Sequence, residues 1–257
     1  MLEVGSGGSP YYRSNVLADA YVTTRERSWA PLISDRPTVI AFGENLPFRD
    51  KSFDFVIASH VLEHSTNPAL FLSELQRVAK AGYIEVPNAL FERLNPYYDH
   101  RSEISLRNDC LIITKKANWC VDNTLRELYE HEAKPFFVRR LYEAMPHLFN
   151  VRYYWNEKIE YVITNPEIDS AWSAPADVHQ HTRKYTWRYR INSRILGLIR
   201  LFASQRARNG SIVLVDLLRC PMCFSEDVFL SATSEFTCKH CGSHSEPTCG
   251  LPNLTIS

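Results

Sequence analysis

The chain has 257 residues, 45% of them hydrophobic, and its 29 Lys plus Arg balance 29 Asp plus Glu. That length suits one good core plus a small extra module, and the charge balance excludes whole-chain steering toward nucleic acid or membrane. No run is long and apolar enough to span a bilayer, and no charged-then-apolar leader precedes the first apolar stretch, so a cytoplasmic protein is expected.

The chain opens on Leu2-Glu3-Val4-Gly5-Ser6-Gly7-Gly8-Ser9-Pro10. Leu2 and Val4 predict a buried strand, with Glu3 near its end and a glycine-rich turn after it. Glycines let the backbone turn tightly and approach a ligand closely. A dinucleotide-binding turn wants a third glycine three residues after Gly7, where Pro10 stands instead. The spacing Gly5-x-Gly7-x-Ser9 is closer to the turn that cradles the methionine part of S-adenosylmethionine. A tight strand–helix turn with no ligand is the plain alternative. Val16-Leu17-Ala18 predicts a second strand ending at Asp19, an acid placed to accept both ribose hydroxyls of a nucleoside. Its plain alternative is a helix cap or a solvated turn residue.

Thr38–Phe42 and Phe53–Ala58 predict strands three and four, the latter running into Ser59-His60-Val61-Leu62-Glu63-His64. Asn67 and Pro68 start a helix over 67–80, with Phe71, Leu75 and Val78 as its core stripe and Gly82 as its stop. Tyr83–Val86 is a fifth strand.

LEVGSGG, ENLPF, KSFDFVIASHVLEH, NPALFLSELQRVAKAG and YIEVPN together resemble the class I S-adenosylmethionine-dependent methyltransferases, in the branch with the small "methyltransferase type 11" domain, over roughly residues 1 to 90. The resemblance implies a Rossmann-like α/β fold with a mainly parallel sheet that ends in an antiparallel hairpin. It implies that Glu3, Gly5, Ser6 and Gly7 hold the methionine part of the cofactor and that Asp19 takes the ribose. The family usually bonds the adenine amino group with an Asp at the end of strand three. Phe42 stands there, so stacking and groups near Glu44, Asn45 and Leu46 are left to hold the base, with Ser59 beside the cofactor. Otherwise Phe42 is a core aromatic, and the cofactor site has decayed. Relatives usually carry helices before strand one. Either the start is truncated, or C-terminal parts supply the lid.

His60 and His64 follow strand four, where the family places the methyl acceptor. They are the candidate catalytic residues, because a base helps a hydroxyl acceptor and His titrates near neutral pH. The alternative is that both simply cap and pack the turn. The family's amide and exocyclic-amine methylators carry Asn-Pro-Pro-aromatic here, and Ser59-His60-Val61-Leu62 departs from that. An oxygen or carbon of a small molecule or glycan precursor is the expected acceptor.

Tyr97–Arg101 is an aromatic, charged loop that would roof the substrate, with His100 and Arg101 as candidate contacts or solvated residues. Cys110–Thr114 predicts a strand. Pro135–His147 predicts an amphipathic helix on Phe136, Leu141 and Met145, and Asn150–Trp155 with Ile159–Ile163 predicts a hairpin. From His179 to Val215 there are eight Lys or Arg and no acid, interleaved with Tyr185, Trp187 and Tyr189. Ile195, Leu198, Ile199 and Phe202 share one face there. The stretch is a linker helix docked by that face or, in the alternative, an RNA or membrane grip.

Five of the seven cysteines crowd the C-terminus. Cys220-Pro-Met-Cys223 and Cys238-Lys-His-Cys241 have the spacing of a tetrahedral structural Zn2+ site. Cys249 breaks the pairing and is left out. Val228–Leu230 and Glu235–Thr237 are the strands between and beside the knuckles. Leu217–Pro221 and the closing Gly250-Leu251-Pro252 resemble the small zinc-ribbon protein that activates several tRNA, rRNA and protein methyltransferases as a separate subunit. His244-Ser245-Glu246-Pro247 only partly matches that family's Tyr-Pro pair. The expected organisation is a methyltransferase domain at 1–178, a basic helical linker at 179–214 and a zinc ribbon at 215–257. A protein partner at the ribbon is an expectation of the same kind, and so is RNA as an alternative acceptor.

Overall fold

The structure, a computed structural model, describes residues 1–27, 29–172, 195 and 205–255. Most of the basic stretch with its aromatic residues therefore lies outside the described residues, as do Leu198, Ile199 and Phe202. Ile195 is helical and 48% exposed.

Strands β1 (Leu2–Val4), β2 (Val16–Asp19) and β3 (Thr38–Ile40) are buried at every residue. Such short, wholly buried strands belong inside a parallel sheet covered on both faces. The pairing is parallel, with Leu2 opposite Val16 and Leu17 opposite Thr38. β4 (Phe53–Ser59) is followed by helix α1 (Pro68–Val78) and β5 (Ala79–Pro87). Asn67 caps α1 by accepting from the Leu70 amide at 3.1 Å, and Phe71, Leu72, Leu75 and Val78 are buried. The expected helix stop at Gly82 is corrected. The chain leaves the helix at Val78, and Gly82 sits inside β5 opposite Trp155.

Helix α2 (Ala89–Leu94) precedes β6 (Ser102–Arg107) and β7 (Cys110–Lys115), an antiparallel pair closed by Asn108 and Asp109 in left-handed conformations. The helix expected from Pro135 begins earlier. Asp122 caps α3 (Asn123–Glu127), and helical turns continue to Ala144. Pro135 lies inside that run, where it has no amide to donate, and the flanking turns Leu128–Ala133 and Phe137–Leu141 are π-helical. β8 (Asn150–Asn156) pairs antiparallel with β5, and β9 (Tyr161–Ile163) pairs parallel with β7. The expected β8–β9 hairpin is thus overturned. β8 completes a six-stranded sheet in the order β3-β2-β1-β4-β5-β8, while β6-β7-β9 forms a sheet of its own.

In the C-terminal part, β10 (Val228–Leu230), β11 (Phe236–Cys238) and β12 (His244–Ser245) form a small antiparallel sheet. The chain divides into two compact units, Met1–Ile57 with Arg77–Lys80 and His179–Ser257, and Ala58–Gln76 with Ala81–Val178. The first unit therefore holds both the glycine turn and the cysteine knuckles. Within it, Ile40 accepts from Leu254 and donates to Pro252, at 2.7 and 2.9 Å, so the C-terminal segment covers the free edge of β3.

Candidate functional site

The glycine turn is tied to β2. The Gly5 amide donates to the Ala18 carbonyl at 2.8 Å, and the Gly7 amide donates to Asp19 Oδ2 at 2.9 Å. Asp19 is buried, and its Oδ1 accepts from the Tyr21 amide at 3.0 Å and from Arg27 Nη1 at 2.7 Å. A carboxylate offers about four acceptor positions, so one remains, on Oδ2. Glu3 accepts from the Tyr11 amide and from Ser14 Oγ, the latter at 2.6 Å, and so fastens the exit of the turn. Ser6 Oγ is buried with no hydrogen-bond partner among the described residues. Gly7 has φ +57°, and a Cβ on Gly8 would stand 3.2 Å from the Pro31 carbonyl oxygen. Arg27 and the 30–33 stretch, whose Ile33 amide donates to the Gly7 carbonyl at 3.0 Å, thus leave little room for a side chain at either glycine.

Phe42 is not a core aromatic. It is 39% exposed and faces Tyr21 edge-on, ring centres 6.1 Å apart. Asn45 donates its backbone amide to the Phe42 carbonyl at 3.1 Å and its side chain to the Pro221 carbonyl at 3.3 Å. Leu46 is fully buried, and its carbonyl accepts from Arg77. Glu44 is half-buried. Arg49 and Arg219 extend the same seam, bonding the Leu217 and Pro47 main chains at 2.9 and 3.0 Å. The turn that follows β3 is thus braced by the cysteine-bearing segment.

The four sulfurs of Cys220, Cys223, Cys238 and Cys241 converge. Cys220 and Cys241 are 3.7 Å apart, and Cys223 and Cys238 are 3.6 Å apart. Tetrahedral ligands 2.3 Å from zinc stand about 3.8 Å from one another, whereas a disulfide needs about 2.05 Å. The Ser243 hydroxyl, 2.9 Å from Cys241, pulls that thiol down to about 6, whereas burial and the neighbouring thiols push Cys223 up to about 12. The donor set fits Zn2+. Cys249 stands apart, exposed and with φ +52°.

In the second unit, Ser59 ends β4 and His60 follows with φ +57°, its amide bonded to the Glu85 carbonyl at 2.7 Å. A left-handed non-glycine residue at a strand end is an unusual conformation of the kind that clusters at functional sites. His60 Nδ1 lies 3.4 Å from Glu63 Oε1, close enough for charge attraction but not aligned as a hydrogen bond. That carboxylate raises the His60 pKa, with burial opposing. Glu63 itself is held below the usual carboxylate range, because the His60, His64 and His100 rings outweigh its burial. His64 and His100 meet edge-to-face, ring centres 4.8 Å apart. His100 is therefore not a solvated loop residue, its side chain being 12% exposed. Arg101 lies over the Trp172 ring and donates to its carbonyl.

Sequence reasoning passed over Arg27, Tyr21, Glu63 and Glu92. Glu63 had a signal, since His60 and Glu63 are spaced to share one face of a helical turn. Arg27 had none, because only the folded 21–33 segment carries it to Asp19.

Residues 2–84 match the protein family described as "Methyltransferase domain", Methyltransf_11. The matched segment is about a third of the chain. An uncharacterized protein of Methanocaldococcus jannaschii is 48% identical over 44 residues, 17% of this chain and 22% of that protein. Among solved structures, a complex between the Haloferax volcanii Trm112 methyltransferase activator and a putative methyltransferase matches at 20% identity and TM-score 0.28, over 34% of this chain and 44% of that one. A Pyrococcus horikoshii protein matches at 19% identity and TM-score 0.31, over 52% of this chain and 70% of that one. The first two relatives are thus spanned over less than half of their own length. The matched segment holds the glycine turn, Asp19, Phe42 and the His60–His64 stretch. Among the described residues no helix is long and apolar enough to cross a membrane.

Proposed function

We propose that the chain is an S-adenosylmethionine-dependent methyltransferase acting on an oxygen or carbon of a small molecule or glycan precursor, with a structural zinc ribbon at 215–257 following a methyltransferase domain at 1–178 and a linker at 179–214. The observation that carries this is the acid at the tip of β2, Asp19, bonded to the Gly7 amide inside a segment that matches the methyltransferase domain. The buried, unpartnered Ser6 Oγ fits a polar ligand at the same turn.

Glu3, Gly5, Ser6 and Gly7 would hold the methionine part and Asp19 the ribose. The exposed Phe42 ring and the Glu44–Asn45–Leu46 main chain would hold the adenine, with Ser59 at the end of β4. When bound, the cofactor supplies an electrophilic methyl group. The chain's task is positioning and proton handling. In-line displacement gains most of its rate from a fixed approach of the acceptor, and His60, half-exposed at the end of β4, is the proposed proton-transfer residue with His64 behind it. The ribbon's role is to brace the turn from Gly43 to Arg49 in cis, and its outer face is where a protein partner would dock.

One observation favours a second reading, a non-catalytic scaffold. Arg27 already occupies Asp19, and no acid ends β3. Calorimetric titration of the zinc-loaded protein with S-adenosylmethionine separates the two readings. Binding with one site per chain supports the enzyme, and absence of heat and of any melting shift supports the scaffold.

A further inference from the structure

We propose that Glu63, His64 and His100 form a binding site for a divalent transition-metal cation, distinct from the cysteine site. Its assignment as the place where the acceptor's hydroxyl is held rests on the methyltransferase reading. The metal site itself does not.

The first observation is Glu63. Its side chain is 2% exposed, and neither carboxylate oxygen has a hydrogen-bond partner. A buried carboxylate without hydrogen bonds is costly, and the ion-pair partner that it has, His60 Nδ1 at 3.4 Å, is half-exposed and not aligned as a hydrogen bond. The second is the set of atoms around it. One ligand atom each from Glu63, His64 and His100 lies within 4.8 Å of the others. Ligands at about 2.1 Å around a bound cation stand roughly 3.0–3.5 Å apart, a difference that side-chain rotation closes.

The third observation concerns the outer hydrogen bonds. His64 Nδ1 lies 3.1 Å from the Asp99 carbonyl, which can only accept, so Nδ1 is the donor there and Nε2 is the atom that would ligate. His100 Nδ1 lies 2.6 Å from Glu92 Oε2 and is held in the same way, with Nε2 as the atom that would ligate. Glu92 is itself buried, and Lys116 Nζ at 2.7 Å and the Tyr97 amide at 3.2 Å hold it in place. A carbonyl or carboxylate behind each imidazole is the usual support of metal-ligating histidine, fixing both tautomer and ring orientation.

Two imidazoles and a carboxylate suit Zn2+, Mn2+, Fe2+ or Co2+ better than Mg2+ or Ca2+. Three protein ligands leave positions open. A hydroxyl bound there is acidified by the cation, its proton passing to solvent without any redox change. His64 is then a ligand rather than a proton-transfer residue, and Glu92 is a positioning residue.

The test uses the full chain with the ribbon saturated by one Zn2+, freed of excess metal and titrated with Co2+ and with Mn2+. The expected result is a second equivalent per chain. With Co2+ it gives d–d absorption without the sulfur charge-transfer band of a thiolate site. Glu63→Gln and His100→Ala abolish the second equivalent and keep the ribbon zinc. Glu92→Gln weakens it about 10- to 100-fold. Glu63→Gln keeps the circular dichroism spectrum and the cooperative melt of the parent chain, so its loss of metal is not loss of fold. One equivalent only, or a second equivalent that survives in both Glu63→Gln and Glu92→Gln, overturns the proposal. S-adenosylmethionine binding without a second metal sinks this inference alone, and a second metal without cofactor binding sinks the methyltransferase reading alone.

Discussion

Arg27 Nη1 stands 2.7 Å from Asp19 Oδ1, the same oxygen that accepts from the Tyr21 amide at 3.0 Å. The oxygen meant to take a ribose hydroxyl is therefore already satisfied, and a bidentate grip needs Arg27 to let go. Arg27→Gln is expected to tighten S-adenosylmethionine binding by about 5- to 30-fold, the competing charge-assisted bond being worth about 1–2 kcal/mol. Calorimetry reads this directly. Weaker binding would show instead that the guanidinium supports the site by holding the Tyr21 and Val22 carbonyls.

Asp19→Ala is expected to act in the opposite direction. It removes the ribose acceptor and also releases the Gly7 and Tyr21 amides. Affinity is expected to fall by about tenfold or more, and stability by about 1–3 kcal/mol, seen in denaturant melts. Unchanged affinity would refute the ribose assignment.

Phe42 leaves its ring on the surface beside Tyr21. Without an acid at the end of β3, stacking carries the adenine, and base–aromatic stacking is worth about 1–3 kcal/mol. Phe42→Ala is expected to weaken the cofactor by that amount with little change in melting temperature, since an exposed ring contributes little to the core. A large melting loss with unchanged affinity would contradict it.

Removing zinc tests the ribbon. A module this small takes much of its folding energy from the metal, and its Pro221 and Leu217 carbonyls hold Asn45 and Arg49. Chelation or Cys223→Ser is expected to lower the melting temperature and to loosen S-adenosylmethionine. Cofactor affinity that survives full zinc loss would show that the bracing does not reach the site.

The parts of the fold legible in the sequence were those written in local chemistry. Leu2–Val4, Val16–Asp19 and the Asn67 cap followed from apolar runs and a capping residue, and the cysteine knuckles followed from their spacing. The hairpin of β8 and β9 was misjudged because strand text carries no partner. Tyr153 could pair with β9 or with Ile84, and the structure chose Ile84. The β6–β7 pair was half missed, although the Asn108-Asp109 turn between two alternating runs is a hairpin signal. At the site, Asp19 was visible because an acid ended a strand. Arg27 and Glu92 were not, since their meaning lies in contacts made across loops.

The central claim is that the turn and Asp19 hold S-adenosylmethionine. The most direct test is calorimetric titration of the zinc-loaded full chain with S-adenosylmethionine, beside the Asp19→Ala variant. One binding site per chain, weakened about tenfold or more by the substitution, is the predicted result. No binding by the intact protein would contradict the account.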